Sequence, residues 1–226
     1  MRWQHPERDL IPPDTFMPMA EDSGLIVGAR RCAIREVCQM INRLDQARPD
    51  LQDLYVSINL SATYFDDKNF LDNLYDTLEE NSTPDHRVHI EITERLLLKQ
   101  PKNMKETLDN CRARGIEVII EDFGTGYSSL SYLHHYPIDP LKIDQSFIHK
   151  MSEDPIVFGL VKSILSLTQN MDIKMIAEGV EDIEEASVLS EWECDMAQGY
   201  FYSRDVPELQ VLELLLRHNG PLSPSH

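Results

Sequence analysis

The chain lacks any apolar run near the ~18 to 20 residues that a helix needs to cross a bilayer, and its first residues hold no apolar signal core. A chain working in the cytoplasm, with no membrane segment of its own, is the expectation. Cysteine is sparse, and Cys32, Cys38, Cys111 and Cys194 stand far apart without metal-ligand spacing. That excludes a disulfide scaffold and a zinc ribbon, and predicts four reduced, mostly buried thiols. Positive charge is short: 21 Lys and Arg face 39 Asp and Glu, a formal net charge of -18. Such a chain repels a phosphate backbone, so DNA and RNA polymers are excluded as charge-driven partners. An anionic ligand would need metal ions or locally placed basic residues. No Pro/Gly/Ser-rich linker divides the 226 residues, which predicts one domain over 1–226 with a disordered tail from 218 to 226.

What is present gathers around 119–130. The β-branched run Val118-Ile119-Ile120 reads as a strand buried on both faces, and it stops at two adjacent carboxylates, Glu121 and Asp122. Gly124 and Gly126 then supply a tight loop. Adjacent carboxylates repel and stay ionised only beside a cation, and hard divalent metals take carboxylate oxygen.

The rest of the chain repeats that plan. After a proline-rich irregular stretch over 6–18, apolar spacing predicts a helix over 25–44. Strands follow at 55–60, 88–93, 118–120, 141–144, 174–177 and 196–202. The intervening helices are predicted at 70–78, 104–114, 129–134, 156–169, 183–192 and 207–217, with the apolar stripe from Ile156 to Leu167 facing the core. Six strand-helix units in succession imply a parallel sheet or barrel. Polar residues mark the C-terminal end of each strand: Asn59, Glu91 with Glu94, Glu121 with Asp122, Lys142 with Asp144, Glu178 with Glu181, and Gln198. In a (β/α)8 barrel these ends converge on one face, whereas an open doubly wound sheet favours one switch point, so the barrel is the expectation. Six strands are fewer than eight, which predicts an α/β, TIM-like barrel that is N-terminally truncated.

With these motifs laid out, the chain resembles the EAL-domain family of bacterial phosphodiesterases that hydrolyse cyclic di-GMP. The segments that carry the resemblance are Ser57-Ile58-Asn59-Leu60-Ser61, Ile90-Glu91-Ile92-Thr93-Glu94, Glu121 to Leu130, Leu141-Lys142-Ile143-Asp144, Ala177-Glu178-Gly179-Val180-Glu181 and Gln198-Gly199-Tyr200. The resemblance implies hydrolysis of cyclic di-GMP to linear pGpG with two divalent cations, Mg2+ or Mn2+, and inhibition by Ca2+. It implies that Asn59, Glu91 and Glu121 hold one ion and that Asp122 and Glu178 serve the second, with Glu121 bridging. Lys142 would lie beside the attacking water, and Gln198 would position water or substrate. Arg2 and Asp144 would contact substrate, and Glu94 and Glu181 would brace loops, the first at a homodimer interface. A full-length protein of this kind also carries sensory or membrane domains.

Two departures accompany the resemblance. The family's signature glutamate would stand three positions before Met1, so the chain is expected to begin inside the second strand. Glu121 stands where the family has aspartate, and its extra carbon adds a reach of ~1.5 Å. Both changes touch the same ion, and they motivate the alternative of a degenerate EAL domain that acts as a cyclic di-GMP receptor or interaction module. Other motifs are weak. Asp122-Phe123-Gly124 has no HRD segment before it, Gly124-Thr125-Gly126 lacks the Walker lysine, and His134-His135 reads as surface or dimer packing.

Overall fold

The computed structural model describes residues 3–7, 9–11, 15–16, 19–20, 23, 25–60, 69–99, 101–125, 133, 136, 138 and 140–217. Arg2, the loop from Gly126 to Leu130, most of the 129–134 helix, His134-His135 and the 218–226 tail lie outside them. The chain forms two compact units, one of residues 1–52 and 68–85, the other of 53–67 and 86–226.

In the first unit, β1 (Trp3–His5) pairs antiparallel with β2 (Asp9–Ile11). A ribbon therefore replaces part of the irregular stretch expected there, because the short turn between them lets backbone groups pair despite the flanking prolines. Helix α1 (Ile26–Ala47) packs on α2 (Phe70–Glu80). Ile34, Cys38 and Ile41 recur at helical spacing and are buried, as are Leu74 and Leu78 across from them. Asn42 donates to the Asn81 carbonyl at 2.8 Å, which satisfies a free acceptor at the end of α2.

Among the described residues the second unit holds six parallel strands in chain order: β3 (Val56–Asn59), β4 (Val88–Thr93), β5 (Val118–Phe123), β6 (Leu141–Ile143), β7 (Met175–Glu178) and β8 (Met196–Gln198). All six fall where the pattern of apolar runs placed them, except that the last ends at Gln198 and a turn takes up the expected remainder over 199–202. The Tyr55 hydroxyl donates to the Met196 sulfur at 3.3 Å, so the sheet curls until its edge strands approach at their N-terminal ends. This is a TIM-like half-barrel. Helices α3 (Glu94–Lys99), α4 (Pro101–Ala113), α5 (Gln145–Met151), α6 (Pro155–Asn170), α7 (Ile183–Glu191) and α8 (Glu208–Arg217) complete the unit.

The structure corrects the sequence reading in three further places. Helices α3 and α5 were not foreseen, since six or seven residues are too short to display a helical period. Cys32 is exposed and Cys194 half-buried, although all four cysteines are free thiols. The α6 stripe divides: Val161, Ile164 and Leu165 are buried, whereas Ile156, Phe158 and Leu160 are exposed. An apolar stripe wider than the contact beneath it leaves its margin in solvent.

Candidate active site at the C-terminal strand ends

The parallel register lines up the polar residues. Asn59 stands beside Glu91, Thr93 beside Glu121, and Glu178 beside Gln198. Lys142 pairs with Ile176 in the middle of the sheet and is 3 % exposed, on a strand otherwise buried throughout. A buried ammonium needs compensating charge. It finds Glu121 at 3.2 Å, Glu91 at 3.4 Å and Glu178 at 3.9 Å, one carboxylate from each of β5, β4 and β7. Burial alone would lower the lysine's pKa, but the charges of Glu91, Glu121 and Glu178 outweigh it and raise it.

The carboxylates divide in the opposite sense. Burial pushes Glu121 up to about 8, aided by its hydrogen bond with Glu91 and the Glu91 charge. Burial also acts on Glu91, but hydrogen bonds from Glu121, Ser57 and Lys142 and the lysine charge hold it below the ordinary range. Burial and the Glu91 charge therefore favour the protonated form of Glu121, while Lys142 and the hydrogen bonds favour the charged form of Glu91. With its amide nitrogen turned inward, Asn59 donates to Glu121 Oε2 at 2.5 Å. Gln198 donates to Glu178 Oε1 at 3.4 Å, and burial raises the pKa of Glu178.

Asp122 needs a local distortion to join this end of the sheet, because successive strand residues point to opposite faces. Its φ is 56°, and the pairing of β5 with β6 shifts register between Ile120 and Phe123. A bulge of this kind re-aims a side chain. Burial and the nearby Asp144 charge raise the Asp122 pKa, opposed by Lys142. The Thr125 hydroxyl donates to the Asp122 carbonyl at 2.8 Å, holding the bend.

The remaining predicted residues lie around this group. Glu94 is buried, and its carboxylate accepts from the Gly124 N–H at 3.3 Å. Asp144 caps α5 by accepting from the Ser146 N–H at 2.9 Å. Glu181 donates its backbone N–H to the buried Glu185 carboxylate at 2.8 Å, while Asp182 caps α7. Missed from the sequence were Phe147 and His149 on α5. The signal available was an Asp144 cap followed by apolar Ile148 and Met151 three apart.

The donor chemistry fits a hard divalent cation: carboxylates and an amide, with enough crowded negative charge that one carboxylate holds its proton. Among the described residues no three His, Cys, Asp or Glu side chains converge as a ready cage. Lys142 supplies the positive charge between them.

A sequence model described as the EAL domain matches residues 1–205. The chain is 34 % identical to the bifunctional diguanylate cyclase/cyclic di-GMP phosphodiesterase MucR of Pseudomonas aeruginosa over 94 % of this chain and 31 % of MucR. It is 34 % identical to the cyclic di-GMP phosphodiesterase PdeR of Escherichia coli over 92 % of this chain and 31 % of PdeR. The chain thus spans about a third of the length of these two relatives. A MucR phosphodiesterase structure in complex with cyclic di-GMP superposes with TM-score 0.84 and 32 % identity, covering 93 % of this chain and 84 % of that one. The Klebsiella pneumoniae BlrP1 complex with manganese and cyclic di-GMP gives TM-score 0.73 at 25 % identity, over 86 % of this chain and 48 % of that one.

Proposed function

This chain belongs to the EAL-domain family, and on that premise we propose that it hydrolyses cyclic di-GMP to linear pGpG in bacterial second-messenger signalling. The observation that carries the reading is the buried Lys142 ammonium amid Glu91, Glu121 and Glu178 at the C-terminal strand ends. That is the face where barrels of this class place catalytic groups.

Hydrolysis adds water across one phosphodiester linkage. The water oxygen bonds to phosphorus, the P–O3′ bond breaks, and the released oxygen takes a proton. Asn59, Glu91 and Glu121 would hold one Mg2+ or Mn2+, and Asp122 and Glu178 the other. Such ions, when bound, supply hydroxide at neutral pH and charge stabilisation at phosphorus. Lys142 orients the attacking water and offsets charge on the phosphate. Gln198, bonded to Glu178, orients a water or substrate oxygen at the edge of the site. A cation held there would favour the ionised form of Glu121. By the family resemblance Asp144 and Arg2 would contact substrate, and Glu94, which accepts from the Gly124 N–H, would brace the loop after Asp122 at the interface of a homodimer. A cytoplasmic setting belongs to the same reading, and no helix among the described residues is long and apolar enough to cross a membrane.

One observation favours a second reading, a receptor that binds cyclic di-GMP without turnover. Glu121, with the longer side chain, already engages both Lys142 and Asn59. The test is hydrolysis of cyclic di-GMP with Mg2+ and with Mn2+, beside calorimetric binding in Ca2+. Turnover that disappears in Glu91→Ala and Lys142→Ala supports the enzyme. Binding without turnover supports the receptor, and neither binding nor turnover sinks both.

A further inference from the structure

Helix α5 touches the loops that follow both β5 and β7, the strands that end near Asp122 and Glu178. At one position, Phe147 lies against Gly124, two residues past Asp122: a Cβ on Gly124, whose φ is +93°, would stand 3.0 Å from the Phe147 ring. At another, Gly179, one residue past Glu178, has φ +80° and backs onto α5, where a Cβ would stand 3.2 Å from the Gln145 Cα. His149 completes the second contact by donating its Nε2–H to the Gly179 carbonyl at 2.8 Å. Glu181 Oε1 lies 3.9 Å from the same nitrogen, beyond hydrogen-bond range, so the carbonyl takes this proton. Asp144 caps α5, and Ile148 and Met151 bury its inner side, so the helix is a fixed body.

We infer that His149 is a positioning residue for the two-carboxylate site: through Gly179 it sets where Glu178 stands relative to Asp122, with α5 as the spacer between their loops. The inference rests on the reading of Glu178 and Asp122 as cation-holding groups. The physical need is plain. Glycine has the freest backbone of any residue, and Gly179 directly follows Glu178. The next residue, Val180, is already tied to the β8 side, donating to the Gln198 carbonyl at 3.0 Å and accepting from the Phe201 N–H at 3.0 Å. His149 ties the loop from the opposite side. Without that bond the loop pivots on Val180, and a ~1 Å displacement of a reacting group costs ~100-fold in rate.

The experiment compares the parent chain with His149→Ala, His149→Gln and, as a control on the same exposed part of α5, Lys150→Ala. Three quantities are read: amide hydrogen exchange over residues 178–182, calorimetric affinity for Mn2+ alone, and kcat and KM on cyclic di-GMP. In His149→Ala the loop exchanges about tenfold faster. Mn2+ binding weakens about tenfold and kcat falls by a similar factor with KM little changed. His149→Gln, whose amide N–H reaches the same carbonyl, recovers most of each effect, and Lys150→Ala matches the parent. Unchanged loop exchange in His149→Ala overturns the inference, as does a Gln variant impaired as much as the Ala variant. If the parent neither binds Mn2+ nor turns over, the enzymatic reading falls, and the exchange measurement by itself decides the role of His149.

Discussion

The Lys142 ammonium stands 3.2 Å from a Glu121 carboxyl oxygen, with Glu91 and Glu178 beside it, on a buried strand whose other residues are apolar. Breaking a buried pair costs more than forming it gains, because the surviving charges stay desolvated. Lys142→Met should therefore destabilise the metal-free chain by about 3 kcal/mol. Mn2+ should recover more stability in the variant than in the parent, since a cation then replaces the missing ammonium. Urea unfolding with and without Mn2+ measures both, and equal Mn2+ effects in the two proteins would contradict the shared-charge account.

Cation uptake should release a proton. Glu121 holds its proton up to about pH 8, and a metal-bound carboxylate cannot keep it. Below that pH the proton competes with the ion, so apparent affinity rises with pH by up to about tenfold per unit and levels off above pH 8. Calorimetry at pH 7 in buffers of different ionisation enthalpy counts the protons released. A count of zero would exclude Glu121 from the cation site.

His89 gives a separate pH dependence. Its ring stacks on Tyr55 with centroids 3.8 Å apart, and burial lowers its pKa below the ordinary 6.5, only partly offset by Glu117. The sign follows from linkage: the unfolded state takes up the proton first as pH falls. The stability due to neutral His89 is complete above pH 6.5 and is lost as pH drops toward the folded value. His89→Phe keeps the stack without the titration, so between pH 7.5 and pH 5.5 its unfolding midpoint should fall less than the parent's. Parallel falls would rule out His89 as the cause.

Gly199 is the tightest of the described glycines in the second unit, since a Cβ there would overlap the Val180 backbone. Gly199→Ala must push the loop after Glu178 away from β8, at a cost of about 2 kcal/mol for an overpacked site. Thermal unfolding reads the stability. Cyclic di-GMP turnover should fall alongside, because Gln198 and Val180 move together through the bond at 3.0 Å.

The residues of the candidate site are legible in the sequence pattern. Asn59, Glu121, Glu178 and Gln198 stand at or near the ends of their runs, Glu91 and Lys142 interrupt theirs, and the parallel register brings the six toward one end of the sheet. The raised pKa of Glu121 was not legible, because it depends on its burial and on how far Glu91 and Lys142 stand from it across two other strands. Nor was α5, whose seven residues give too short a period to read.

The sequence by itself determined the order of six strands and the residue types at their ends, because apolar runs and polar punctuation are local properties that period and composition record. Tertiary structure decided how those ends act together. The left-handed bend at Asp122, the three carboxylates around Lys142, and the α5 link from Phe147 to His149 all depend on distances between strands and loops remote in the chain. Packing sets such distances, and no local pattern encodes them.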